Sequence, residues 1–290
     1  MILITGATGH LGKATIDHLL SKGADKSTIS ALVRDEAKAA PLKDLGIKLL
    51  KGDFNDYQSL VLAFEGIDTL FFVSSSDILN RQVQHENVVN AAKKAGIGRI
   101  IFTSVTRKRE DGSSAIAFLL SSMLSTEKMI KEGGFDYTIL KNPLYADVLP
   151  MFLGYDVLDT GVFLPAGEGK ASFTLREDLA EASAAVLLGG GHDGKEYLLA
   201  SEENLSFSDV AAVLSQISER PVPYQSPSAD LYRQTLIQAG VPEEQIGGLS
   251  MFLEAINQGE FETEHTDLPF LLGRRPTTLK SFLASVYAGK

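Results

Sequence analysis

The opening stretch MILITGATGHLGKATIDHLL sets three glycines, Gly6, Gly9 and Gly12, between a short apolar run and an amphipathic one. Glycine inside regular structure costs about 0.5–1 kcal/mol relative to alanine, so three within seven residues require a reason. A strand-to-helix turn supplies one. MILIT reads as a strand, and LGKATIDHLLSKG as a helix with Leu11, Ile16, Leu19 and Leu20 on one side. In such a turn Gly6 permits the tight bend, Gly9 lets the backbone approach a pyrophosphate, and Gly12 leaves room for the helix against the sheet. A glycine triplet alone signifies little. Its place after a strand and before a helix, at the head of repeating strand–helix units, makes a dinucleotide site the expectation over a purely structural turn.

The repetition runs through the first half of the chain: TISALVR, IKLLKGD, DTLFFVSSS, RIIFTSV and DYTILKN read as strands, with helical patterns between them. The segment DEAKAAPLKDLG is expected to be a helix broken at Pro41. Several strands are apolar at consecutive positions, as expected when both faces of a sheet are covered. After about Leu144 the rhythm changes to a turn-rich segment, then further helices and short strands, the last helix reaching Gly289. The fold class expected is α/β, a Rossmann-type doubly wound parallel sheet with a smaller C-terminal α+β substrate lobe. The boundary is set at residues 1–144 for the dinucleotide-binding domain and 145–290 for the lobe, whose strands can return to the main sheet.

Composition narrows the partners. A formal net charge of -10 argues against nucleic acid. With no cysteine there is no disulfide, thiolate metal site or cysteine nucleophile. No apolar stretch approaches a membrane span and no signal peptide is recognisable, so a cytoplasmic protein without membrane attachment is expected. His18, His192 and His265 have no metal-ligand spacing, and no metal is expected.

The end of the second strand should choose the cofactor. A carboxylate there suits the ribose 2′-hydroxyl of NAD, an arginine the 2′-phosphate of NADP. TISALVRDEAK puts Arg34 at that point, with Lys38 four residues on and Asp35 as either a site residue or a helix cap. NADPH is the expected cofactor. Asp53 and Phe54 of KGDF are placed to meet the adenine, and Ser74, Ser75 and Ser76 of VSSS to run along the cofactor, although serines in loops are often turn formers only.

The runs TGATGHLG, ALVRDEAKA, KGDF, FVSSS, QHENVVNAAKKAG, TSV, TEKMI, ILKNPLY and REDLAEA together resemble the NmrA-like group of atypical short-chain dehydrogenases/reductases, and within it the bacterial NADPH:quinone and triphenylmethane-dye reductases. The resemblance implies that Gly6, Thr8, Gly9, His10, Leu11 and Gly12 form the pyrophosphate loop. It gives the 2′-phosphate to Arg34, helped by Lys38, and the middle of the cofactor to Ser74, Ser75 and Ser76. Thr103, Ser104, Asn142, Pro143, Tyr145 and Arg176 would flank the nicotinamide half, and Lys128 would hold its ribose. Lys128, Asn142 and Tyr145 are the residues given positioning roles in the reaction.

Ordinary members of the wider superfamily carry a tyrosine four positions before that lysine. Here the position is Leu124, so no phenol donates a proton from it. Alcohol oxidation and epimerase-like sugar-nucleotide chemistry are disfavoured. Reduction of a quinone or conjugated cation survives, because hydride transfer can precede proton uptake from water. The implied activity is an NADPH-dependent reductase of small quinone-like or dye-like molecules, as a monomer or homodimer. The alternative is a redox-sensing regulator that binds NADP(H) and turns nothing over. Tyr137 reads as structural and His85 as a hydrogen-bonded surface or interface histidine whose helix can pair with a copy of itself. Ser104 is placed to orient a carbonyl oxygen, the KRED run from Lys108 to Asp111 is read as a mobile charged loop, and the region of Phe163 and Phe173 covers the substrate or packs the core.

Overall fold

The computed structural model describes residues 1–154 and 156–288; Gly289, the last residue of the final helix expected from sequence, lies outside them. Through the first half of the chain come β1 (Ile2–Ile4), α1 (His10–Ser21), β2 (Ile29–Val33), α2 (Ala40–Asp44), β3 (Lys48–Lys51), α3 (Tyr57–Ala63), β4 (Thr69–Phe72), α4 (Arg81–Ala95), β5 (Arg99–Val105), α5 (Ala117–Glu132) and β6 (Asp136–Asn142). Then follow β7 (Leu144–Tyr145), α6 (Leu149–Leu153), α7 (Val157–Thr160), β8 (Val162–Phe163), β9 (Ala171–Thr174), α8 (Arg176–Leu188), β10 (Lys195–Leu198) and β11 (Asn204–Leu205). The chain closes with α9 (Phe207–Ser218), β12 (Tyr224–Gln225), α10 (Ala229–Gln238), α11 (Glu243–Asn257), α12 (Leu268–Leu272) and α13 (Leu279–Tyr287).

Seven strands form one sheet in the order β3-β2-β1-β4-β5-β6-β10, every neighbouring pair parallel. The consecutive apolar residues of its strands divide between two cores. Ile4, Ala31, Phe71, Ile101 and Leu140 face one side, with α1 and α8. Leu3, Leu32, Leu70, Phe72, Phe102 and Ile139 face the other, with α3, α4 and α5. Full burial of each large side chain stabilises by about 1.5–3 kcal/mol, which holds the alternation in register: Leu3 lies between Ser30 and Leu70, Ile4 between Ala31 and Phe71. Strand order reverses between β1 and β4, and the loops after β1 to β6 all emerge at the carboxyl edge, where such sheets bind ligands.

Beyond residue 144 the chain leaves the sheet, and α8 and β10 then return to it. The remainder forms a three-stranded sheet, β11-β9-β7, a β8–β12 pair and helices α9, α11 and α13 around a third core containing Phe173, Phe207 and Phe261. Pro41 corrects the sequence-based expectation. It lies in the first turn of α2, where a missing N–H costs nothing, so it opens the helix instead of breaking it. Residues 36–39 are turn. Among the described residues no helix is long and apolar enough to cross a membrane, and no cluster of His, Asp or Glu could hold a metal ion.

Candidate functional site

A cavity of about 700 Å³ opens along the carboxyl edge, from the β1–α1 turn to the aromatic core of the lobe. Its polar end is built from backbone. Gly6 adopts φ +59°, a conformation that side-chain-bearing residues rarely take, and accepts from the Gly9 amide at 2.9 Å. A Cβ at Gly12 would stand 2.4 Å from the Gly6 oxygen, so only hydrogen fits there. Gly9 caps α1 without a side-chain bond and no acid occupies the first turn. The N–H groups at the start of α1 therefore face the cavity with their partial positive charge uncompensated, an anion site by construction.

Arg34 lines this end, exposed, and no ion pair among the described residues engages it. Asp35 turns out to serve the turn: its Oδ1 accepts from the Ala37 amide at 3.0 Å. Lys38 sits in the 36–39 turn, exposed and away from the cavity wall, because the helix that would have aligned it with Arg34 starts only at Ala40. Asp53 and Phe54 both line the cavity. Asp53 Oδ1 already accepts from the amide and Nδ2 of Asn55 at 2.9 and 3.1 Å, and Phe54 packs edge-on to Phe72.

Ser74, Ser75 and Ser76 line the middle. The Ser74 amide donates to Thr103 Oγ1 at 2.9 Å, so Thr103 supports this loop from beneath and is not itself a wall residue. Ser75 is held at three points by one face of α4. Its amide donates to His85 Nε2 at 3.0 Å, its hydroxyl to Gln84 Oε1, and its carbonyl accepts from Arg81 Nε at 2.7 Å. Arg81, Gln84 and His85 are all buried. His85 Nδ1 donates to Thr126 Oγ1 at 2.8 Å, whose own proton goes to the Ser122 carbonyl at 2.6 Å. Burial, aided by the nearby Arg81 charge, lowers the His85 pKa to about 3, which keeps Nε2 an acceptor. The histidine expected at the surface or at an interface between copies is thus a buried strut of the loop, and its face of α4 is turned inward.

Beyond the serines, Ser104, Asn142, Pro143, Tyr145 and Arg176 line the cavity together. Ser104 Oγ donates to Glu127 Oε1, so the hydroxyl offers lone pairs to a ligand and not the proton a carbonyl oxygen would need. Glu127 is itself gripped by Arg107 at 2.7 and 2.9 Å. Asn142 Nδ2 reaches the Tyr145 hydroxyl at 3.4 Å while its Oδ1, buried, has no partner among the described residues. Arg176 pairs with Asp147 and places its guanidinium 5.4 Å from the Tyr145 ring centre. Burial raises the Tyr145 pKa, with Asn142 and Arg176 opposing in part. The phenol therefore stays protonated.

Lys128 does not reach this group. α5 turns Leu119 and Met123 toward the cavity, and a residue at position 128 falls on the opposite phase. Its side chain is 73% exposed with the ammonium 4.0 Å from Glu132, and it borders a separate recess of about 340 Å³ with Leu124, Glu127 and Lys131. The KRED run is likewise fixed: the amides of Lys108 and Arg109 donate to the fully buried Glu260 at 2.9 and 3.0 Å.

The far end is apolar. Leu119, Met123, Leu149, Phe152, Phe173, Phe207, Phe252 and Phe261 line it, drawn from both halves of the chain. Phe173 belongs to this wall, whereas Phe163 packs on Tyr232 outside it. Arg81 and Gln84, like Asn55 and Asp77, are polar wall residues that sequence reasoning passed over. The signal for Arg81 and Gln84 was the i, i+3, i+4 spacing of Arg81, Gln84 and His85 immediately after VSSS, one helix face turned to the loop.

Comparison with known proteins agrees with this geometry. The model of the NmrA-like family matches residues 1–283. Quinone oxidoreductase 2 of Escherichia coli (strain K12) is 34% identical over 288 residues, 99% of each chain. The crystal structure of the Citrobacter sp. triphenylmethane reductase complexed with NADP(H) superposes with a TM-score of 0.91 at 35% identity, covering 99% of this chain and 100% of that one. The NADPH complex of an NADPH-dependent quinone oxidoreductase from Escherichia coli gives 0.88 at 34%, covering 98% and 99%.

Proposed function

This chain belongs to the NmrA-like family, and from that premise we propose that it is an NADPH-dependent reductase that delivers hydride to quinones or similarly flat, conjugated acceptors. The observation that carries the reading is one continuous cavity whose backbone-built, cationic end meets an end lined by aromatic and aliphatic side chains. The residues present fit the cofactor: a cradle that a Cβ at Gly12 would fill and, with no partner among the described residues, the first amides of α1 and the Arg34 guanidinium. In this reading Gly6, Thr8, Gly9, His10, Leu11 and Gly12 hold the pyrophosphate and Arg34 the 2′-phosphate. Asp53 and Phe54 flank the adenine, and Ser74 to Ser76 run along the centre. Asn142, Pro143, Tyr145 and Arg176 enclose the nicotinamide half.

When bound, NADPH supplies the hydride. The protein's part is to stack the acceptor in the apolar end, fix its distance and exclude water. Leu124 removes the phenol that the dehydrogenase dyad would use, and Lys128 lies outside the cavity, so neither serves as acid or base. The similar proteins named above are reductases of quinones and triphenylmethane dyes, the acceptor class that tolerates this loss. The test is to follow NADPH absorbance with a panel of quinones. Oxidation well above the protein-free rate is expected. Tight NADPH binding with no turnover of any acceptor would favour the sensor reading instead.

A further inference from the structure

Exposed Arg34 apart, the arginines in and beside the cavity wall are paired with acids among the described residues, with one buried exception. Arg107 is gripped by Glu127, Arg176 by Asp147 and Arg109 by Glu260. Arg81, the first residue of α4 and 5% exposed, has no such acid. Its Nε donates to the Ser75 carbonyl, but among the described residues neither Nη1 nor Nη2 has a hydrogen-bond partner, and Nη1 is enclosed. Asp77, the acid on the same loop, gives its Oδ2 to Asn80 and Gln84 at 2.9 and 3.1 Å. A guanidinium stays charged at any ordinary pH, and unpaired donors in a cavity wall oppose folding. A cation kept there under that penalty is matched by something that arrives with a ligand.

In the reading above, the cofactor's anionic groups already have partners in the glycine loop and Arg34. What is left for Arg81 is an oxygen that becomes negative during the reaction. We infer that Arg81 is the oxygen-binding residue of the acceptor subsite, holding a quinone carbonyl and the negative charge that forms on it. The inference rests on the proposed reductase function. Hydride brings two electrons and one proton to the quinone, leaving a hydroquinone monoanion. Its charged oxygen keeps the N–H bonds of Arg81, and water supplies the second proton as product leaves. Arg81 remains protonated at every stage. The same cation disfavours a positively charged acceptor, so Arg81 selects among acceptors as well as aiding one of them. The carboxamide oxygen of a nicotinamide offers the same acceptor chemistry, and the experiment separates the two sources.

Arg81→Met and Arg81→Lys are compared with the unaltered full-length chain, using menadione as neutral quinone and crystal violet as cationic dye. Losing donors to a developing oxyanion lowers kcat/KM by about 100-fold, and that is the loss expected for menadione with Arg81→Met. Losing the Ser75 contact affects both acceptors alike, so the subsite is read from their ratio: kcat/KM for menadione relative to crystal violet is expected to fall by about 100-fold, a fall that any change in the Kd for NADPH by fluorescence titration cannot account for. Arg81→Lys, which keeps the charge, restores a large part of the menadione rate. Equal losses for both acceptors together with weakened NADPH binding would assign Arg81 to the serine loop or the carboxamide and overturn the proposal. If Arg81→Met fails to fold, Arg81→Gln takes its place. If the unaltered protein reduces neither acceptor, equilibrium binding of 4-nitrophenolate in the presence of NADP+ still decides. Weakening of about tenfold on removing Arg81 supports the subsite, because a charge-assisted hydrogen bond is worth that much, and unchanged binding contradicts it.

Discussion

At one end of the cavity the wall is backbone: Gly6 at positive φ, the amides at the start of α1, and a Gly12 too crowded to bear a Cβ. At the other it is side chains, Phe152 from α6, Phe173 from β9, Phe207 from α9 and Phe252 from α11. The first arises from one contiguous turn, fixed by sterics within about ten residues. The second exists only after four distant segments have packed. A site assembled from backbone should fail through loss of shape at one residue. A site assembled from packing should fail through loss of stability or of acceptor binding, with cofactor affinity spared.

The largest expected effect lies at the packed end. Phe207 is 1% exposed within the lobe core, and truncating a buried phenylalanine costs about 3–5 kcal/mol. Phe207→Ala should lower unfolding free energy in denaturant titration by that amount while folded protein keeps its NADPH affinity. A matching loss of NADPH affinity would break the comparison. At the backbone end, Gly12→Ala must push the Gly6 carbonyl from a 2.4 Å clash. About a 100-fold loss of NADPH affinity is expected, roughly 2.7 kcal/mol. Gly9→Ala, with 3.2 Å to the same oxygen, should lose less, and calorimetric titration of both variants ranks them.

The smallest effect concerns the strut between the ends. His85 titrates near 3 when folded but near 6.5 when unfolded. Protons then bind preferentially to the unfolded chain, so its contribution is whole above about pH 6.5 and falls by about 1.4 kcal/mol per unit as pH drops toward 3. Denaturation at pH 6.5 and pH 5 should show a steeper acid loss for the unaltered protein than for His85→Asn, by about 2 kcal/mol. Equal slopes would mean that His85 is not held neutral.

The same contrast explains what the sequence discloses. The glycine turn, the position of Arg34 at the end of β2 and the doubly wound order follow from local sterics and apolar patterning, and all were readable. Ser74 to Ser76 line the cavity because they follow the end of β4 at the carboxyl edge, a position that the strand pattern makes legible. Lys38 was misplaced because Pro41 opens α2 and delays it past the expected start. Lys128 was misplaced because a sequence match carries no helix phase, and α5 presents Met123 to the cavity instead. Arg81 and Gln84 were missed, and the hydrogen-bonded His85 was put at the surface or an interface, because polar residues on a helix read as solvated until the loop they face is known. Of the aromatic end the sequence offered only the region of Phe163 and Phe173, of which Phe173 alone lines the cavity, since no local pattern says which phenylalanines will meet.

In the proposed function the backbone cradle and Arg34 together recognise the dinucleotide and its 2′-phosphate. The direct measurement is equilibrium titration of NADPH and NADH with the unaltered protein and with Arg34→Ala. The account predicts tight NADPH binding that Arg34→Ala weakens by about 30- to 100-fold, the worth of one charge-assisted phosphate contact, with NADH binding nearly unchanged. Equal losses for both dinucleotides, or no saturable binding of either, would contradict it.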